Sequence, residues 1–153
     1  MVNMYSKEEV TKIIIDFDGV LTDGKIFYTH DGKQFKGTNT RDVRAIRELI
    51  SHGYDVTILT ASSWSGSKDF AKKTGADVVI LKEKIKFLET FTGSYIAIGD
   101  DVWDYPLIES ASRFFAPRDC DKLIKNNPKV EILDCDGGSG VIAELVWLLC
   151  NNK

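Results

Sequence analysis

The sequence has no apolar run near the roughly 20 residues that a membrane span needs. Its first ten residues, MVNMYSKEEV, lack the apolar core of a signal peptide. It has no basic excess either. Twenty Lys and Arg stand against 23 Asp and Glu, for a net charge of -3. That balance excludes the cationic footprint of a nucleic-acid binder. Cysteine is scarce: Cys120, Cys135 and Cys150 are odd in number and in no metal-type spacing. They exclude a disulfide framework and read as reduced thiols of a cytoplasmic protein. The two histidines, His30 and His52, look like loop or helix-end residues. No repeat of about 20 to 50 residues is visible, and no low-complexity tract. What remains is 153 residues, 43% hydrophobic, enough for one domain around one core.

The most informative stretch is IIIDFDGVLTDG, residues 13–24. Three consecutive isoleucines read as a strand buried on both faces of a parallel sheet. Asp16 and Asp18 follow at once, separated by Phe17. Alternation along an extended chain puts both carboxylates on one side. Two carboxylates at the end of a buried strand repel each other and resist desolvation. A cation would relieve both costs, and an oxygen donor set of this kind suits Mg²⁺. The plainer reading is a polar strand end entering a turn, since Asp and Gly are common there.

Taken in order, Ser6-Lys7-Glu8-Glu9 predicts a short helical turn, and a strand follows over 12–17. KIFY (25–28) and KQFK (33–36) flank Thr29-His30-Asp31-Gly32, which predicts a hairpin flap over about 25–36. Thr40 is expected to cap a helix over 41–52 that Gly53 ends. Strands are expected at 55–61, 76–81, 94–101, 113–117 and 130–133. Helices are expected at 64–74, 82–91, 102–112, 119–126 and 140–150, with Ile85, Leu88 and Phe91 facing inward in the third. Strands alternating with helices predict an α/β fold: a Rossmann-like, doubly wound parallel sheet flanked by helices. Ligands of such sheets bind outside the carboxyl ends of the strands. Asp16, Asp18, Thr60, Asp100 and Asp101 all fall at such ends.

That set suits hydrolysis of a phosphate monoester. The reaction needs a carboxylate nucleophile, an acid for the leaving oxygen, a metal, a lysine and a hydroxyl or backbone donor. Asp16 would attack phosphorus. Asp18 would protonate the leaving oxygen and then activate water, and its carbonyl would bind Mg²⁺. Thr60 would hold a phosphoryl oxygen. Lys82 and Lys84 compete for the neutralising role. Asp100 and Asp101 would hold the metal with Asp104 in support, although either could simply cap the following helix. Trp64 and Trp103 follow motif strands, where each could line a pocket or pack.

DFDGVLTDG, then Thr60, then a lysine, then GDDVWD (99–104) resembles the motif order of the haloacid-dehalogenase-like phosphohydrolases over nearly the whole chain. The resemblance implies catalytic roles for Asp16, Asp18, Thr60 and Lys84. It implies Mg²⁺ held by Asp16, Asp18 and Asp100. Lys84 is preferred to Lys82 because Ile85, Leu88 and Phe91 follow it as they follow the family lysine. DGKIFYTHDGKQFKGTNTRDVRAI (23–46), GDDVWDYPLIE (99–109) and GGSG (137–140) are similar to the capless branch that includes 3-deoxy-D-manno-octulosonate 8-phosphate phosphatases and sialic-acid-pathway relatives. This implies no cap domain, a homotetramer built through hairpin flaps, and a small phosphorylated sugar or keto-sugar acid as substrate. Asn39, Arg41 and Asp42 would then lie near the substrate, with Ala61, Ser62, Asp101 and Asp104 supporting.

The chain departs from that branch in three places. Val43 and Ala45 replace two glycines, Ser139 stands where the octulosonate enzymes carry arginine, and Ala61-Ser62 replaces Gly-Arg or Gly-Glu. These departures leave the sugar acid open. A phospho-acceptor signalling domain is the alternative from another class, but its phosphorylated Asp would have to follow the strand that ends at Thr60. A catalytically idle assembly partner is the other alternative, and the intact carboxylates argue against it.

Overall fold

The computed structural model describes residues 10–151; the helical turn expected at Ser6–Glu9 lies outside them. Six parallel strands form the main sheet: β1 (Lys12–Ile15), β4 (Asp55–Thr60), β5 (Asp77–Ile80), β6 (Tyr95–Ile98), β7 (Arg113–Ala116) and β8 (Val130–Ile132). Their spatial order is β5-β4-β1-β6-β7-β8. Strands β2 (Phe27–Tyr28) and β3 (Gln34–Phe35) form the separate antiparallel hairpin, at the expected place and shorter than expected.

β1 is central because its side chains are apolar on both faces. Ile13 and Ile15 join the core on one side of the sheet, and Ile14 joins the core on the other. All three are at most 1% exposed, and each contributes roughly 1.5–3 kcal/mol by burial. The alternation repeats in β4 with Ile58 and Leu59, and in β7 with Phe115 and Phe114. Helices α1 (Thr40–Ser51), α2 (Gly66–Thr74) and α4 (Val141–Asn151) cover the first face. The second face is covered by two 3₁₀ segments, Lys84–Thr90 and Val102–Leu107, and by the short α3 (Lys122–Lys125). No cap domain occurs among the described residues.

Several boundaries differ from the sequence reading. Asn39, not Thr40, caps α1, accepting the Arg41 N–H at 2.9 Å. The helix expected over 82–91 is a 3₁₀ segment with three residues per turn. Lys84 and Phe87 therefore share its buried face, and Ile85 turns outward at 43% exposure. The helix expected over 102–112 is likewise 3₁₀, ending at Leu107. Asp121, rather than Asp119, caps α3.

Candidate active site

β1 and β6 run side by side, and the Asp16 N–H donates to the Ile98 carbonyl at 3.0 Å. That bond carries the sheet one residue beyond β1 and fixes Asp16 at its carboxyl end. The chain then turns through Phe17–Leu21, with Gly19 at a φ of 83°. Thr22, fully buried, holds the loop by accepting the N–H groups of Gly19 (3.3 Å) and Gly24 (3.1 Å). Gly19 is required twice, by its left-handed φ and by space. A Cβ there would stand 1.7 Å from Asp100 Oδ2. This is how the two acidic strand ends come together.

Asp16, Asp100 and Asp104 each present a carboxylate oxygen within 4.8 Å of the others. Lys84 reaches into this cluster, donating to Asp16 Oδ1 at 2.5 Å and to Asp104 Oδ1 at 2.6 Å. Asp104 also accepts the backbone N–H groups of Asp100 (3.1 Å) and Asp101 (3.3 Å) through Oδ2. Asp100 Oδ1 is buried and has no hydrogen-bond partner among the described residues. Three carboxylates against one ammonium leave excess negative charge in a dry place. Burial, more than any neighbour, pushes the carboxyls of Asp16, Asp100 and Asp104 up to about 7. Burial works against the Lys84 charge, but Asp16 and then Asp104 outweigh it and hold the ammonium above its usual range. An orphaned buried carboxylate oxygen among clustered acids fits a hard divalent cation, which takes oxygen ligands. Asp16, Asp100 and Asp104 carry the oxygens that would hold it.

The cluster lines a cavity of about 450 Å³ together with Asp18, Thr60, Ala61, Ser62, Lys82, Asp101 and Trp103. Thr60 ends β4 buried, its Oγ1 accepting the Ser62 N–H at 3.1 Å. Of the competing lysines, Lys84 is buried between the acids, and Lys82 lies exposed on the rim. Of the two tryptophans, Trp103 lines the cavity at 60% exposure, and Trp64 packs on Phe17 with ring centroids 5.8 Å apart. Asp101 is exposed and caps the 3₁₀ segment over Val102–Leu107, in a capping box with Asp104.

Three predicted residues lie elsewhere. Asn39 caps α1 and donates to the Gly138 carbonyl at 3.4 Å. Arg41 is exposed in the first turn of α1. Asp42 is fully buried, and its Oδ1 accepts the N–H groups of Ile142 (2.9 Å) and Ala143 (3.1 Å) at the start of α4. Its contacts are those of a pin between two helices.

The sequence reading missed two contributors. Gly137 and Gly138 pack onto the carboxylate loop, with the Gly138 N–H donating to the Val20 carbonyl at 2.9 Å. A Cβ on Gly137 would meet the Gly19 carbonyl oxygen at 2.0 Å. The doubled glycine of GGSG was the available signal. Ser139 beside them is exposed. The second is Lys36, just past β3, which donates to Asp18 Oδ1 at 2.7 Å.

No family model matches the chain. Among curated proteins, the 3-deoxy-D-manno-octulosonate 8-phosphate phosphatase KdsC of Yersinia pestis is 29% identical over 147 residues, covering 90% of this chain and 78% of that protein. The solved structure of the Yersinia pestis phosphatase of that name superposes with a TM-score of 0.85 at 27% identity, over 93% of this chain and 81% of that one. The Moraxella catarrhalis phosphatase, solved with magnesium, phosphate and KDO, gives a TM-score of 0.86 at 23% identity, over 97% and 91%.

Proposed function

The chain belongs to the haloacid-dehalogenase-like phosphohydrolases, in the branch without a cap domain, and from that premise we propose that it hydrolyses the phosphate monoester of a small keto-sugar acid. The observation that carries the proposal is the clamp of Lys84 between Asp16 and Asp104 at the end of the central strand. The clamp points one carboxylate oxygen of Asp16 and neutralises part of the charge that a phosphate dianion would otherwise meet.

In the proposed sequence an oxygen of Asp16 attacks phosphorus, and the bond from phosphorus to the leaving oxygen breaks. Asp18, which lines the same cavity, gives its proton to that leaving oxygen. Asp18 then takes a proton from water as the water attacks the phospho-aspartate, which releases phosphate and restores Asp16. Thr60 and Lys84 hold the phosphoryl oxygens. Asp16, Asp100 and Asp104 would hold Mg²⁺, with the Asp18 carbonyl as a further donor, and the cation would supply the charge that makes nucleophile and phosphate compatible.

The keto-sugar acid is proposed by likeness to the octulosonate 8-phosphate phosphatases, whose names state that substrate. The neutral Ala61 and Ser62 and the exposed Lys82 also line the cavity, and the rest of the substrate would lie against them. As part of the same proposal the protein is a homotetramer, assembled through the hairpin. Ile26, Phe27, Tyr28 and Phe35 there are 44–61% exposed, and the Phe27 and Phe35 rings stack at 5.4 Å. A cytoplasmic location belongs to this reading too, and the three free thiols support it.

The test is phosphate release from a panel of sugar and sugar-acid phosphates, with Mg²⁺ and with chelator, beside Asp16→Asn. Release should peak on an eight- or nine-carbon keto-acid phosphate. It should stop with chelator and fall at least about 1,000-fold in Asp16→Asn, as loss of a nucleophile does. An Asp16→Asn protein with normal turnover would refute the assignment.

A further inference from the structure

Lys36 has an unusual setting for a lysine at the foot of an exposed hairpin. Its side chain is 1% exposed, in a segment where every residue from 23 to 35 is exposed. The ammonium donates to Asp18 Oδ1 at 2.7 Å and lies 4.9 Å from the centre of the Trp64 ring. Trp64 in turn packs on Phe17, the residue between the two acids. Burying a lysine side chain is costly, and an ion pair plus an aromatic face is what offsets it. Lys36 is not among the residues lining the cavity, and Asp18 is. A substrate in the cavity would therefore touch Asp18 and not Lys36.

From this geometry we infer that Lys36 is a positioning residue for the proton transfer. It holds Oδ1 of Asp18 and leaves Oδ2 as the oxygen that exchanges the proton with the leaving group. Among the described residues, the Asp18 side chain, 36% accessible, has no other hydrogen-bond partner to fix its rotamer. Because Lys36 follows β3 directly, the orientation of the acid is tied to the position of the hairpin. The inference rests on the phosphatase reading given above.

The test separates proton delivery from everything else by leaving group. 2-Glycerophosphate expels an alkoxide and needs a proton; 4-nitrophenyl phosphate expels a phenoxide that leaves without one. kcat/KM reports the step up to phosphoryl transfer. Lys36→Met should lower kcat/KM about 10- to 100-fold on 2-glycerophosphate and less than about 3-fold on 4-nitrophenyl phosphate, within the range of general-acid effects. Asp18→Asn should show the same selectivity with a larger loss. The double variant should be no worse than Asp18→Asn, because Lys36 acts through Asp18. Lys36→Arg should recover most of the rate. If Lys36→Met does not fold, Lys36→Gln is read by the same ratio. Equal losses on both probes, no loss on either, or a double variant well below Asp18→Asn would each overturn the role of Lys36. Wild-type protein that releases phosphate from neither probe nor any member of the sugar and sugar-acid phosphate panel would overturn the phosphatase reading itself; if only the panel is turned over, a Lys36→Met, Asp18→Asn double variant well below Asp18→Asn on its best member would overturn the role of Lys36.

Discussion

Gly19 joins two demands in a single residue. Its φ of 83° is open to glycine and costly for others, and the space a side chain would take is filled by Asp100. Gly19→Ala should destabilise the fold by about 1–3 kcal/mol through backbone strain and push the Asp100 carboxylate out of the cluster. The expected result is a lower thermal midpoint together with a loss of phosphate release that added Mg²⁺ only partly restores. Retained activity at a lowered midpoint would mean that Asp100 can move without consequence. At this scale much was legible in the sequence. Asp16, Thr60 and Asp100 could be placed because each ends an apolar β-branched run. Lys84 was preferred to Lys82 through the family resemblance alone, since both stood at the start of an expected α-helix. Winding at three residues per turn decides the matter by putting Lys84 and Phe87 on one buried face.

Asp42 shows a contact between elements that no local pattern reveals. It leaves α1 to accept the first N–H groups of α4, 100 and 101 residues away. A carboxylate at a helix N-terminus is well placed. Burial is the larger influence, however, and lifts this carboxyl to about 6 against the two N–H groups that lower it. The folded protein therefore holds the Asp42 proton to higher pH than the unfolded chain does. The contribution of Asp42 to stability is fullest below pH 4 and is lost as pH rises through about 6, a fall of up to about 3 kcal/mol. Asp42→Asn should remove that fall, so urea midpoints of variant and wild type should converge or cross between pH 4 and 7. Parallel midpoints across the range would show that Asp42 does not titrate there. The resemblance to the capless branch implied Asp42, with Asn39 and Arg41, as a substrate neighbour. Nothing in the spacing could show that α4 starts against it. Helices α1 and α4 were legible from their apolar stripes, and the sheet from the alternation of short β-branched runs with helices; the two segments expected as helices over 82–91 and 102–112 wind as 3₁₀ instead. The hairpin was legible from Asp31-Gly32, although the paired residues are only Phe27–Tyr28 and Gln34–Phe35.

Across the whole molecule, the buried acids at one end of the sheet make the fold and its metal interdependent. With Asp16, Asp100 and Asp104 all pushed up to about 7, the metal-free protein pays a charge penalty that grows as pH rises from 4 toward 8. A cation that binds the folded form alone stabilises it by about 2.7 kcal/mol at 100 times its dissociation constant. Mg²⁺ should raise the thermal midpoint by several degrees at pH 8 and by much less at pH 5.5. Asp100→Asn should lose most of the gain. An equal Mg²⁺ effect at both pH values would remove the acid cluster as its site. The packing of Gly137 and Gly138 onto the Gly19–Asp23 loop has a different kind of consequence. A ribosome delivers residues 16–24 early and residues 137–138 more than a hundred codons later. β1 must also wait for β4 and β6 on either side of it. The nascent chain thus carries its most reactive carboxylates in an unassembled state for most of its synthesis. Only when the glycine pair arrives can the loop that carries Asp16 and Asp18 take the packing it has in the folded protein.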